Sequence, residues 1–311
     1  MRKFQVAVIL VNYNSSNYTV DCIHSIEQQT AIGFQPYQII VVDNNSREEE
    51  YKKLDAIRGN KNTLVFRSKM NTGFSGANMM GVQLADAEYY YFLNNDCVLL
   101  NDCLFILSDF MNKESDAANC SGEMINGNNE YEYNFRYFPS LAIKFLGSGI
   151  LRIFRPASFP SRHARFKAPT QVDVINGSSM FIRSQPFEEI GGFDTQYFLY
   201  CEEEDIALRL KRSGFKTYIV PEAQYKHFVS KSSTSGSFDL LFLKEFYISL
   251  LYYFEKNYSF FYRLVIQIFY FFKLVKKFYK DRRYISLALF VARGAPMKES
   301  LRFKQKIAEK L

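Results

Sequence analysis

Near-continuous apolar runs separated by amphipathic stretches dominate the first 121 residues. The runs near 5–12, 37–43, 62–67, 89–94 and 116–121 lack the in-out alternation of a half-exposed sheet, which predicts strands covered on both faces. Between them, helical spacing of apolar residues predicts helices near 17–30, 47–58 and 75–86. The alternation of strand and helix is the pattern of parallel βαβ units. Three runs stop abruptly in polar residues: Asn12 to Ser16 after Val11, Asp43 to Ser46 after Val42, and Asn94 to Asp96 after Leu93. Open α/β sheets bind ligands at the carboxyl ends of their strands, so these three clusters are expected to line one site.

The pattern changes after residue 121. From Tyr133 to Val172 there is no Asp or Glu, yet Arg136, Lys144, Arg152, Arg155, Arg162, Arg165 and Lys167 occur among aromatics and prolines. This segment is expected to be an insert facing an acceptor or a membrane. A strand-like run, Val172 to Ser184, then leads to the acid cluster in FLYCEEEDIALR and to a closing strand, Lys216 to Pro221. Beyond Ser237 the spacing is helical and unusually aromatic. Its longest weakly charged stretch, Leu264 to Phe272, is too short to span a bilayer. Lys and Arg recur there at helical intervals, which predicts helices lying in a membrane surface; packing on the catalytic domain or in a homodimer is the alternative. The expected division is a catalytic domain at 1–237 and a helical region at 238–311. Within the former, 1–121 is the half with the three polar strand ends, 133–172 the basic insert and 172–237 the half with the acid cluster.

Charge sharpens this division. The 311-residue chain is 48% apolar with a formal charge of +7, and residues 241–311 carry 15 Lys or Arg against 5 Asp or Glu. The tail is thus +10 and the remainder about −3 by difference, pointing to an anionic surface. A nucleic-acid reader is disfavoured because the cations are spread through aliphatic helices without a recognition motif. Five scattered cysteines with no CxxC pair indicate neither a zinc site nor a disulfide framework and suit a reducing cytoplasm. The start, MRKFQVAVILV, imitates a signal peptide but passes into NYNSSN without a small-residue cleavage site, so a first buried strand is expected.

Candidate chemistry follows from the polar strand ends. Asp96, delivered to a sheet edge beside Asn94 and Asn95, suits Mg2+ or Mn2+ holding a diphosphate. Asp43 can accept hydrogen bonds from a base N–H or a ribose hydroxyl. The glycines of NTGFSGANMMG, Asn71 to Gly81, let backbone approach a ligand, and the following helix offers free N–H groups. Four successive acids, Glu202 to Asp205, exceed what a helix cap needs, and crowded like charges raise one another's pKa as a general base near neutral pH requires.

In this order these elements resemble the family 2 glycosyltransferases, inverting sugar-nucleotide enzymes of the GT-A fold, and in particular their rhamnosyltransferase-like branch. The resemblance spans about residues 4–235. It implies an α/β, Rossmann-like, mixed and mainly parallel sheet flanked by helices, with a C-terminal aromatic and basic helical extension. Val11, Asn12, Tyr13, Asn14, Asp43 and Asn45 would bind base and ribose. Asn71, Gly73, Phe74 and Asn78 would touch the nucleotide, Asn94 and Asn95 the diphosphate region, and Asn176 and Gly177 the donor sugar. Asp96 would hold the metal, with His227 from the loop after the last strand as a second contact; Asn94 stands where relatives can have a carboxylate. Glu203 would be the general base, with Glu202 and Asp205 as alternatives.

The implied partners are a nucleotide-diphosphate sugar, a glycan or lipid-linked acceptor, and the inner face of the cell membrane, touched from the cytoplasm. One rival, a sugar nucleotidyltransferase, needs a basic glycine-rich loop after the first strand, and VNYNSSNYT has neither Gly nor Lys. A catalytically silent membrane scaffold of the same fold is the non-enzymatic rival.

Overall fold

The computed structural model describes residues 2–31, 36–156, 159–161, 165–228 and 239–307. In chain order the elements are β1 (Phe4–Asn12), α1 (Ser16–Gln29), β2 (Tyr37–Asp43), α2 (Glu48–Lys53), β3 (Thr63–Arg67), α3 (Gly73–Gln83), β4 (Ala87–Leu93), β5 (Cys97–Leu99), α4 (Cys103–Lys113) and β6 (Ala117–Asn126). The chain continues through β7 (Tyr131–Glu132), β8 (Phe135–Arg136), α5 (Leu141–Phe154), β9 (Thr170–Val172), β10 (Val174–Ile175), β11 (Ser179–Arg183), α6 (Ser184–Glu189), α7 (Glu202–Arg212) and β12 (Lys216–His227). Three helices follow, α8 (Leu240–Asn257), α9 (Phe260–Val275) and α10 (Arg283–Ala292).

The main sheet runs β3-β2-β1-β4-β11-β6-β12-β5. Strands β1 to β4 are mutually parallel, β11 lies antiparallel between β4 and β6, and β12 returns parallel to β6. Both faces are covered, which explains the continuous apolar runs. From β1, Val6, Val8 and Leu10 join Cys22, Ile23 and Ile26 of α1 and Leu104, Leu107 and Met111 of α4. The alternate residues Ala7 and Ile9 join Ala77 of α3, Phe187 of α6 and Ile206 and Leu210 of α7. Each fully buried large apolar side chain contributes roughly 1.5–3 kcal/mol.

Three departures from the sequence reading position the site. The short β5 was not expected, and β12 continues well past Pro221. Proline lacks the N–H a ladder needs, and the register with β6 duly shifts between Val220 and Gln224 before pairing resumes. His227 is therefore a strand residue facing Cys97 across the β12–β5 ladder, not a loop residue. The run Val172 to Ser184 is broken into β9, β10, a turn and β11, and the basic insert contains the amphipathic helix α5.

The domain boundary expected at 237/238 lies outside the described residues. The helices beyond it are nonetheless no detached extension. Tyr247, Ile248, Leu251 and Phe254 of α8, Ile266 and Tyr270 of α9, and Phe290 of α10 form one buried cluster with Tyr197 and Cys201, which flank the acid motif.

Candidate active site

The turns after β1 and β2 are locked together by a network around Asn12. Its side-chain amide donates to Asp43 Oδ1 at 2.7 Å, Ser16 Oγ at 3.1 Å and Ser46 Oγ at 3.2 Å, and its oxygen accepts from Thr19 Oγ1 at 2.9 Å. Asp43 Oδ2 accepts from the Ser46 N–H at 3.2 Å and faces Arg67 Nε at 3.5 Å. Asn95 turns its amide inward, donating to Ser15 Oγ at 2.7 Å and Thr19 Oγ1 at 2.8 Å. Asn12 and Asp43 have no exposed surface.

Asn12, Asp43 and Asn95, expected as nucleotide contacts, also brace the turns at this edge. The physical reason is that an amide or carboxylate at a strand end is drawn to the neighbouring loop's unpaired donors, which would otherwise be buried unsatisfied. What the turns present outward is Tyr13, 48% exposed, with Asn14 and Asn45 in the left-handed region at φ 53° and 68°. Val11 is partly covered against the core face that includes Ile9. Asn45 also donates to the Lys306 carbonyl at 3.2 Å, so the C-terminal segment reaches this edge.

The glycine-rich segment is tied to both sides. Asn44, buried beside Asp43, donates to Asn71 Oδ1 at 3.0 Å and to the Gly73 carbonyl at 3.1 Å, and accepts from the Thr72 N–H at 2.9 Å. Asn71 Oδ1 also accepts from the Gly73 N–H at 2.9 Å. Gly73 has φ +74°, and a Cβ there would stand 2.1 Å from the Phe198 carbonyl. That close approach lets the Phe74 N–H donate to Phe198 O at 2.8 Å, fastening the segment to the loop before the acids. Asn78 is buried and its amide bonds back to Phe74 O at 3.0 Å within α3, which spends it on its own helix.

The end of β4 meets the end of β12. His227 Nε2 lies 3.2 Å from Asp96 Oδ1, and the Phe228 N–H donates to the Asp96 carbonyl at 2.9 Å. Ligand atoms of Asp96, His227 and Cys97 all fall within 4.8 Å of one another. The Cys97 thiol is fully buried, donates to Ser178 O at 3.5 Å, and is pushed well above the ordinary thiol range by burial and then by the Asp96 charge. A thiol is a soft donor, so the set suited to a hard cation is the Asp96 carboxylate and the His227 imidazole. Such a pair fits a hard ion that takes its other ligands from waters and phosphates.

Across from it, Glu203 Oε1 accepts from the Gly177 N–H at 3.0 Å and from Arg136 Nη2 at 2.9 Å, while Arg136 Nε lies 3.4 Å from Glu204 Oε1. A Cβ at Gly177 would stand 2.7 Å from Glu203 Oε1, so glycine is what admits the carboxylate there. Burial, reinforced by the Glu203 charge, pushes Glu202 well above the usual carboxylate range. Burial also raises Glu204, against the pull of Arg136. Both keep an unpartnered buried oxygen, Oε2.

Asp205 differs. It is completely buried and accepts from Arg209 Nε at 2.8 Å, Lys256 Nζ at 3.0 Å and Asn257 Nδ2 at 3.1 Å. Asp205, expected as an alternative base, holds α8 against α7 through these bonds. Asp194 joins the same seam, pulled below the ordinary carboxylate range as bonds from Lys256, the Gln196 N–H and Tyr252 outweigh its burial.

The two acidic elements are joined through one turn. The turn at 176–178 donates from Gly177 to Glu203 on one side, and on the other its Ser178 carbonyl accepts from the Asn94 N–H at 2.9 Å. Asn176, in the same turn, accepts from the Ser178 N–H at 3.3 Å. Cavities of about 340 and 300 Å³ lie elsewhere, at the amino ends of the strands around Phe4 and Asp86 and around Asn112 and Arg183.

Residues 7–191 match the glycosyl transferase family 2 profile. The chain belongs to that family. This glycosyltransferase is 27% identical over 244 residues to the rhamnosyltransferase WbbL of Escherichia coli K12, an alignment covering 75% of the chain and 88% of WbbL. It is 36% identical over 62 residues, 20% of each chain, to the N-acetylglucosaminyl-diphospho-decaprenol L-rhamnosyltransferase of Mycobacterium tuberculosis. Among solved structures, GalNAc-T7 with UDP, GalNAc and Mn2+ superposes with a TM-score of 0.61 at 18% identity, covering 81% of this chain and 48% of that one. Mannosyltransferase PcManGT of Pyrobaculum calidifontis, with GDP-Man and Mn2+, gives 0.55 at 14% identity, covering 81% and 64%. The glycosyltransferase thus has the GT-A fold of those neighbours while spanning about half to two thirds of their length.

The sequence reading missed Arg136, Asn44 and the Ser178 carbonyl. Arg136 is one of seven cations in an acid-free stretch, with no local signal to single it out. Asn44 adjoins a residue that was singled out, and a backbone carbonyl carries no sequence signal.

Proposed function

We propose that this glycosyltransferase moves a sugar, a hexose or a deoxyhexose such as rhamnose, with inversion and with help from a divalent cation. The donor is a nucleotide-diphosphate sugar, the acceptor a glycan or lipid-linked glycan of cell-surface polysaccharide synthesis. The similarity to WbbL supports the sugar, and the nucleotide and Mn2+ in the two solved neighbours support the donor class and the ion. Tyr13, Asn14, Asn45 and the Asn71–Phe74 segment would frame the nucleotide. Asn176 and Gly177 would border the sugar. Mg2+ or Mn2+ would be held by Asp96 and His227, beside Asn94, and supplies positive charge for the departing diphosphate.

The observation that carries the reading is the 176–178 turn, bonded to Glu203 on one side and to Asn94 on the other. An acceptor hydroxyl entering from the acid side faces the donor's anomeric carbon opposite its diphosphate. As the acceptor oxygen forms its bond to that carbon, its proton passes to Glu203, and the electron pair of the breaking C–O bond leaves with the diphosphate. Both bonds to Glu203 fall on Oε1, and Oε2 would take the proton. Glu202 and Glu204, buried and raised in pKa, surround the base with groups that favour their neutral forms.

The deciding experiment is a transfer assay of Glu203→Gln and Asp96→Ala with parallel calorimetry of nucleoside diphosphates and Mn2+. Glu203→Gln is expected to lose transfer and keep donor binding, and Asp96→Ala to weaken Mn2+-dependent binding. Full transfer by Glu203→Gln would eliminate that base. Among the described residues no helix is long and apolar enough to cross a membrane, and we place the protein peripherally, on the cytoplasmic face, through its C-terminal helices.

A further inference from the structure

Helix α5 buries none of its residues. Phe145 and Leu146 before the break at Gly147 (φ 77°), and Ile150, Ile153 and Phe154 after it, are apolar and 48–78% exposed. Helix α9 has an apolar face: Phe261, Val265, Ile268, Phe272 and Val275 recur at helical spacing and are 36–76% exposed. The two helices touch. The Leu141 N–H donates to Tyr262 at 2.6 Å, Phe145 meets Phe269 edge-on at 5.2 Å, and Lys144 lies over the Tyr270 ring at 5.3 Å. The exposed Phe145 of α5 therefore borders α9 at Phe269.

We infer that α5 and α9 form one membrane-seating face, which sets the catalytic cleft at the surface of an anionic bilayer. Charge selects this occupant. Residues 141–155 and 260–283 together carry ten Lys or Arg, three in the first and seven in the second, against the single acid Asp281. A second copy of the chain docked face to face would bring like charges together, whereas anionic headgroups complement them. Apolar faces bordered by aromatics and cations, on helices too short to span, are the composition of interfacial helices.

The placement has a consequence for the site. Helix α5 begins five residues after Arg136, whose guanidinium bonds Glu203, and β8, which carries Arg136, pairs with β10 immediately before Asn176. The same short stretch that braces the base thus leads onto the seat, so a lipid-borne acceptor would approach Glu203 from the bilayer side. This last step rests on the transfer reading above; the seating itself does not.

The test is sedimentation of the full chain with phosphatidylcholine vesicles, with and without phosphatidylglycerol. The combined Ile153→Asp and Phe154→Asp variant is expected to lose about tenfold in partitioning to the anionic vesicles. Phe272→Asp should lose a similar factor, while Ser286→Asp, on the exposed side of α10, should match the parent. Mn2+-dependent nucleoside diphosphate binding should be the same in all of them and reports intact folding. An α5 variant that binds vesicles like the parent overturns the inference. So does a parent that ignores vesicles but is a dimer by light scattering, and becomes a monomer when α5 is changed. Absence of Mn2+-dependent nucleotide binding in the parent would instead remove the transfer reading and leave the vesicle result standing.

Discussion

Two polar clusters sit at the same edge of the sheet and are built on opposite principles. Around Asp43, one carboxylate is surrounded by amides, hydroxyls and Arg67, and nearly every donor finds an acceptor. Around Glu203, two glutamates, Glu203 and Glu204, share the guanidinium of Arg136 beside Glu202, and the buried Oε2 atoms of Glu202 and Glu204 have no partner. The first cluster is satisfied and holds a shape; the second is frustrated and contains the proposed proton acceptor. Buried polar groups are normally paired, so unpaired ones concentrated at a cleft mark chemistry more than stability.

The comparison breaks most sharply at Glu203. Its change to Gln keeps the bonds to Gly177 and Arg136 within reach of an amide oxygen but removes the base, and transfer should fall by about 10²–10⁴-fold with donor affinity unchanged in calorimetry. Next in size is Gly73→Ala, which attacks the joint between the two clusters. A Cβ at 2.1 Å from Phe198 O in a left-handed backbone cannot be accommodated without movement, and denaturant titration should show a loss of about 2–4 kcal/mol. Gly177→Ala is subtler. Its Cβ would press on Glu203 alone, so kcat is expected to drop by about a hundredfold while the Mn2+-dependent binding of a nucleoside diphosphate is retained.

The smallest expected effect separates frustration from satisfaction directly. Glu202 has a raised pKa in the folded protein, so between the ordinary glutamate value and that raised value the folded state binds more protons than the unfolded one. Its contribution to stability is therefore lost as pH rises through that window. Glu202→Gln should raise the melting temperature by a few degrees at neutral pH, with the gain shrinking as pH falls toward the ordinary glutamate range. A pH-independent gain, or none, would mean that Glu202 is not held neutral by its surroundings.

The C-terminal helices sit on the frustrated side of the comparison. Because Lys256 and Asn257 satisfy Asp205, and Ser249 donates to the Leu199 carbonyl at 2.7 Å, removing residues 240–311 would strip partners from the acid loop as well as any membrane seat. Point changes on exposed faces are the cleaner probe of that seat.

What the sequence determined by itself was periodicity and punctuation. Continuous apolar runs meant a sheet buried on both faces, because only strands packed by helices above and below can bury every side chain in turn. Polar residues at the ends of β1, β2 and β4 marked one edge of the sheet, and four adjacent acids opening a helix marked the candidate base. Only the tertiary structure decided which of those polar groups face the cleft. Asn12, Asp43 and Asn95 turn inward because neighbouring loops offer them donors and acceptors that no linear pattern records. His227 came to Asp96 through a ladder that resumes beyond a proline, and Arg136 to Glu203 through a β8–β10 pairing of two residues each. Contacts of that kind join residues 67 to 131 positions apart, and their energy depends on loop geometry and burial, quantities that exist only once the chain has closed on itself.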